Sequence, residues 1–135
     1  VISGFDHVVI TVADVEQTLH FYETVLGGVR QVKPDRPASI SFGAQKINIH
    51  QVDRTFEPKA HLPTAGSADF CLVAARPINE VMAHLQSLGV AIEVGPVPRS
   101  GARGRMTSIY FRDPDNNLVE VGDYGDAADR PSQSP

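Results

Sequence analysis

Hydrophobic residues along this chain follow two periods, and the periods succeed one another twice in the same order. Phe5 to Val12 alternates: Val8, Ile10 and Val12 fall on one face of a strand, Phe5, His7, Val9 and Thr11 on the other. From Asp14 the spacing becomes helical. Val15, Leu19, Tyr22, Val25 and Leu26 form one stripe, Asp14 is placed to cap its start with Gln17 in the capping-box position, and Gly27 ends it. Three strands are predicted next: a poorly defined one near Val29 to Lys33, then Ala38 to Phe42 and Lys46 to Gln51, separated by the turn Gly43-Ala44-Gln45. Asp53 to Gly66 is rich in charge and proline and reads as a surface linker.

After that linker the order starts again. Ser67 to Ala74 is a predicted strand. Pro77 suits the first turn of a helix whose apolar stripe is Ile78, Val81, Met82, Leu85 and Leu88, with Gly89 as its stop. Val90 to Val94 is predicted as a strand. Ser108 to Arg112 and Asn117 to Val121 are two more, joined by the turn Asp113-Pro114-Asp115-Asn116, in which Pro114 presets φ and Asn116 tolerates a left-handed backbone. A shift of 62 residues lays His7 on Asp69, Leu19 on Val81 and Gly27 on Gly89. A shift of 70 lays His50 on Glu120, which puts eight extra residues in the second half, assigned to the loop from Arg99 to Arg105. The pattern predicts an α+β fold of two tandem βαβββ modules, at about 4–52 and 67–124, within one domain over 1–125. Residues 126–135 read as a polar, frayed tail.

Sorting the strands by face changes the picture from architecture to chemistry. Val8, Ile10, Val12, Ile47, Ile49, Phe70, Leu72, Ile109, Phe111, Val119 and Val121 make one apolar set, suited to cover by two helices. The opposite set holds His7, Thr11, Asn48, His50, Asp69, Cys71, Ser108, Tyr110 and Glu120, and on this sorting it carries no lysine or arginine. Glu120 lies between two valines, where an ionised carboxylate is costly without a proton, a cation or a metal. Nitrogen and carboxylate donors without thiolate suit zinc, nickel, manganese or ferrous iron.

Composition narrows the function classes. The 135 residues carry a net charge of −4, which gives no basic footprint for nucleic acid and no polybasic membrane patch. Apolar runs are too short to span a bilayer, and the opening residues lack the pattern of a signal peptide. One cysteine, Cys71, excludes an internal disulfide and suits a reducing, cytoplasmic setting.

The segments FDHVVITVADVEQTLHFYETVLGG and YFRDPDNNLVEV resemble the vicinal oxygen chelate superfamily, which includes glyoxalase I, extradiol dioxygenases, fosfomycin-resistance enzymes and bleomycin-resistance proteins. The resemblance covers about Phe5 to Tyr124, and the linker resembles that of small glyoxalase-domain proteins. It implies paired modules forming a curved, cavity-lining mixed sheet, a homodimer, and a divalent metal (Ni, Zn, Mn or Fe) held at the positions of His7, His50, Asp69 and Glu120. Asp69 stands where the superfamily usually has histidine, which leaves it as ligand or as base beside a His7, His50 and Glu120 triad. The implied chemistry is glyoxalase-like lyase or isomerase action on a small oxygen-chelating substrate. Glu120, Tyr110 and Asp69 are then the catalytic candidates. Ring cleavage by an extradiol-type dioxygenase, and metal-free sequestration of a drug or metabolite, are the alternatives.

Each candidate also has a plainer reading. His7 can be a half-buried structural histidine, His50 a strand end in water, Asp69 a strand cap, Tyr110 a cavity-lining aromatic, and Cys71 a small buried packing residue. Arg99, Arg103 and Arg105 can form an anion-binding lid or a solvated loop; Arg103, Arg105 and Asn48 are the substrate-binding candidates.

Overall fold

A computed structural model describes residues 1–125; the predicted tail, 126–135, lies outside the described residues. The order is β1 (His7–Val12), α1 (Val15–Leu26), β2 (Val29–Gln31), β3 (Ala38–Phe42), β4 (Gln45–Gln51), β5 (Asp69–Val73), α2 (Ile78–Ser87), β6 (Val94–Gly101), β7 (Gly104–Arg112) and β8 (Leu118–Asp123). Both modules are βαβββ, as expected, and each has its own four-stranded mixed sheet, ordered β1-β4-β3-β2 and β5-β8-β7-β6. The first and last strands of a module pair in parallel, and the other pairings are antiparallel.

The chain divides into two compact units. The first is Val1–Ala68 with Pro114–Asn117, and the second is Asp69–Asp113 with the chain from Leu118 on. In the first, Asp14 caps α1 by accepting from the Gln17 N–H at 2.9 Å, and Gly27 closes the helix at φ 73°. Val12, Leu19, Tyr22, Ile40 and Ile49 are buried between α1 and its sheet. In the second, Leu85 of α2 packs toward the face that carries Ile109, Phe111 and Val119. Pro77 offers no side-chain cap to α2. Instead the Ile78 N–H donates to Asp123 Oδ2 at 3.0 Å, from the end of the module's last strand. Gln51 does the corresponding work in the first unit, its Oε1 accepting from the Val15 N–H at 3.4 Å.

The turn predicted at 113–116 forms, with Asn116 left-handed at φ 63°. Within the first unit, Asp115 Oδ1 accepts from the Ala13 N–H at 3.0 Å and Asn117 Oδ1 from the Ala68 N–H at 2.9 Å. Gly66, at φ +83°, approaches the Asp115 carbonyl so closely that a Cβ there would lie 2.8 Å from its oxygen. A side chain at 66 would strain the backbone and collide with it.

One strand falls elsewhere than predicted. Residues 90–93 are irregular, and β6 runs from Val94 to Gly101. The hairpin register explains the shift: Gly101 faces Gly104, Arg99 faces Met106 and Val97 faces Ser108. The polar run that looked like a loop is therefore an edge strand, where exposed polar and charged side chains are normal.

Replacing Asn117, which is fully buried, by Ala leaves the Ala68 N–H without its acceptor. Asn117→Ala should cost about 1–3 kcal/mol, read as a lower urea midpoint with an unchanged slope.

Candidate functional site

Strand register assigns the faces. In the first unit His7, Val9 and Thr11 lie opposite Lys46, Asn48 and His50, respectively. Side chains alternate, so these six share the face turned away from Ile10, Ile47 and Ile49. In the second unit Asp69, Cys71 and Val73 lie opposite Leu118, Glu120 and Gly122, and across β8 the row continues from Glu120 to Tyr110 and from Leu118 to Arg112. Two expectations are corrected here. The polar face does carry cations: Lys46 beside His7, Arg112 in the Asp69 row, and Arg99, which pairs with Met106 on the Tyr110 side of β7. The repeat alignment also changes. Laying His7 on Asp69 is a shift of 62, but the paired strands then place Lys46 on Leu118, a shift of 72, not 70. The counterpart of Glu120 is Asn48, and that of His50 is Gly122. Gln51 and Asp123, which both reach a helix start, obey the same shift.

His7 is half-exposed, and its Nδ1 lies 2.8 Å from Asp6 Oδ2. A carboxylate on one ring nitrogen orients the imidazole and leaves the other nitrogen for a ligand, the arrangement common around metal-bound histidines. His50 lies four residues further along the paired strands, about 13 Å from the His7 end. It is 5% exposed, beside the Phe56 ring at 5.3 Å. Burial, and then the Lys59 charge, hold its pKa below the ordinary value. Asn48, the predicted substrate contact, is half-buried, and its Oδ1 is buried without a hydrogen-bond partner.

Glu120 sits in the corresponding place of the second unit and shares that property: its Oε2 is buried with no hydrogen-bond partner. Next to it, the Cys71 thiol is pushed up to about 11 by burial and by the Glu120 carboxylate. Cys71 is nevertheless surface-exposed as a residue, not the buried packing residue expected. On the other side of Glu120, the Tyr110 hydroxyl accepts from Arg99 Nε at 2.9 Å. Asp69 is exposed at the start of β5; the Arg112 guanidinium, bound to Glu93 at 3.0 Å, also feels its charge.

The predicted arginines separate. Arg105 falls on the Ile109 and Phe111 side of β7, away from Glu120. Arg103 occupies the hairpin tip, its guanidinium 4.4 Å above the Tyr124 ring and its N–H bonded to the Tyr124 hydroxyl. The period-two count placed Thr11 and His50 on one face; sequence reasoning left Lys59 open between an anion contact and a solvated loop residue, and left Arg99 in a loop, because the pairing that brings Lys59 to His50 and Arg99 to Tyr110 is not local. Among the described residues, neither unit by itself gathers three His, Cys, Asp or Glu side chains in a cluster able to hold a metal ion.

Paired βαβββ modules with a ligand-type histidine at the start of the first strand and a carboxylate in the last define a class. The model of the Glyoxalase/Bleomycin resistance protein/Dioxygenase superfamily matches residues 4–121, and the chain belongs to that superfamily. It is 50% identical over 125 residues to the virulence protein STM3117 of Salmonella typhimurium, spanning 92% of this chain and 86% of that protein. The crystal structure of STM3117 matches with a TM-score of 0.89 and 48% identity, covering 92% of this chain and 98% of the other. The glyoxalase domain-containing protein RDO1 of Mycosarcoma maydis is 46% identical over 126 residues, 93% of this chain and 71% of that protein. A lactoylglutathione lyase from Agrobacterium tumefaciens shares the fold, with a TM-score of 0.70 at 22% identity over 90% of this chain and 94% of the other.

The lowered His50 pKa fixes a sign. As pH falls through 6.5, the unfolded chain takes up a proton that folded His50 still refuses. The group has no effect on stability above 6.5 and a growing penalty below it, down to its folded value. The His50 ring protons should titrate below 6.5 by NMR, and Lys59→Met should move that midpoint upward. A midpoint at or above 6.5 in the unsubstituted protein would contradict this environment.

Proposed function

We propose that this chain is a divalent-metal-dependent enzyme that acts on a small oxygen-chelating substrate, with glyoxalase-like lyase or isomerase chemistry. The observation that carries the reading is the Glu120 Oε2, a buried acceptor oxygen with no donor. Such an atom is costly unless a proton or cation meets it. His7, oriented by Asp6, is the matching nitrogen donor. The residues fit a hard or borderline divalent ion: nickel, zinc, manganese or ferrous iron. His7 in the first unit and Glu120 in the second are each a candidate ligand for it. His50 is set aside as a ligand because Lys59 faces it, and a cation beside a ligand opposes a second cation. Asp69 shares the field of Arg112 and is better suited to an outer role.

When bound, the metal would supply Lewis-acid stabilisation of negative charge on substrate oxygens. The chain's own residues would position the substrate and manage its protons. Tyr110, its hydroxyl accepting from Arg99, keeps its own hydrogen to donate to a substrate oxygen. Glu120 is the nearest carboxylate in its row to take up a proton. Superfamily membership supports an enzyme of this class, and the resemblance to superfamily members of this size supports a homodimer. A cytoplasmic setting suits the single cysteine.

A metal-free binding protein is favoured by a different observation, namely that neither unit gathers three metal-type side chains among the described residues. Metal analysis separates the two. Protein purified without a chelating tag should carry nickel, zinc, manganese or iron near stoichiometry by mass spectrometry, and His7→Ala and Glu120→Ala should each lose it by tenfold or more. An empty protein that takes up none of these ions on addition would leave the binding protein in its place, and iron with oxygen uptake would redirect the reaction to ring cleavage.

A further inference from the structure

The first unit contains a cavity of about 590 Å³ between β1, the end of β4 and the loop 58–68. That volume lies within the ~300–1,000 Å³ usual for small-molecule sites. All of its lining residues belong to the first unit. The walls are mostly apolar, with Val9, Leu62 and Pro63 among them. Leu62 is 76% exposed and Val9 49% exposed, so apolar surface there is open to an occupant.

The polar groups are few and unequal. The Thr64 hydroxyl donates to the Leu62 carbonyl at 3.1 Å, and the Ser67 hydroxyl to the Thr64 carbonyl at 2.7 Å. Both have spent their hydrogens on the loop. Lys59 Nζ donates to Thr55 Oγ1 at 2.8 Å and lies 3.5 Å from Glu57. Glu57 is 76% exposed against 36% for Lys59, so water screens the carboxylate more than the ammonium. The ammonium has three hydrogens, and these contacts do not use them all. Neutral His50 has one ring N–H, and Thr11 opposite it has a hydroxyl. The available groups on the His50 side are donors under a positive potential.

The second module differs at the position of this wall. At the counterpart of His50 stands Gly122, and a Cβ there would lie 2.3 Å from Met106 Sδ. The thioether fills the place that the first module leaves to His50. The asymmetry is chemical as well as steric, because Lys59 sits in the linker, outside the repeated elements.

We propose that this cavity is a binding site for a small amphipathic carboxylate, its carboxylate held by Lys59, His50 and Thr11 and its apolar body lying against Val9, Leu62 and Pro63. The carboxylate end of the site lies about 13 Å along the sheet from the His7 end, with Val9 between them, and the site binds its ligand without a metal.

The test is calorimetric titration of EDTA-treated protein with phenylbutyrate and with its neutral isostere phenylbutyramide. Melting curves confirm the fold of each variant. Phenylbutyrate should bind saturably and at least tenfold more tightly than the amide. Lys59→Met should remove that difference, Leu62→Asp, at an exposed wall position, should weaken the acid at least tenfold, and His7→Ala should leave its affinity unchanged. Equal affinity for acid and amide, an unaltered preference in folded Lys59→Met, or no saturable binding of either would overturn the site. Loss of binding in folded His7→Ala would overturn its independence from the proposed metal position. Because the protein is metal-free throughout, failure of the metalloenzyme reading leaves these outcomes unaffected.

Discussion

The parallel ladder between the first and last strands of each module decides which side chains this protein can use together. A strand's side chains alternate, so a slip of one residue would exchange His7 and Glu120 for Val8 and Val119. The ladder is fixed from both sides. Toward the helices, Ile10, Ile49, Val119 and Val121 must be buried. At the strand ends, Gln51 and Asp123 must meet the first N–H groups of α1 and α2. Hydrophobic burial sets the parity, and the helix contacts set the register within it. The polar face is then what remains.

That division explains what could be read from the chain alone. The module order, both helices, the Asp14 cap, the Gly27 stop and the left-handed Asn116 follow from local rules, and they hold. The superfamily was legible because two motifs at the ends of the chain are local as well. The pairing of distant strands is not local. A two-residue difference in alignment, 70 against 72, preserves the parity and every apolar position, so pattern gives no warning of it. It matters only on the polar face, where it exchanges His50 for Asn48 as the counterpart of Glu120. The same limit concealed β6: Arg99-Ser100-Gly101 has the composition of a loop, and its partner across the hairpin makes it a strand.

Asn48 and Glu120 show what the corrected alignment means chemically. Each presents a buried oxygen without a donor, at equivalent places in two sheets. A neutral amide tolerates that position at modest cost, because no net charge is desolvated. A carboxylate does not, and its neighbours bring it no free positive charge: the Cys71 thiol, kept protonated by burial and by Glu120, is a neutral donor, and Arg99, from the Met106 row, is bound to the Tyr110 hydroxyl. One module has retained a group that asks for positive charge while its counterpart has not. This separates a position fitted to a cation from one that is not, although both stand at the same register in their sheets.

The second difference between the modules runs the other way. Gly122 and Met106 fill the end of the second sheet's polar face with a flexible, apolar side chain, whereas His50 and the 52–68 linker leave the corresponding place in the first module hollow and cationic. Filling that hollow with apolar atoms would gain burial, as Met106 does, at about 25 cal/mol per Å² of apolar surface removed from water. The chain instead keeps a histidine in a buried place beside an ammonium, and burial and then that charge hold the histidine's pKa down. Interiors pack closely as a rule, and the donors of an open cavity are met by water until a ligand displaces it. The duplicated frame thus carries two unlike devices, a carboxylate short of a cation in one module and a donor-lined cavity in the other, and neither can be inferred from its repeat.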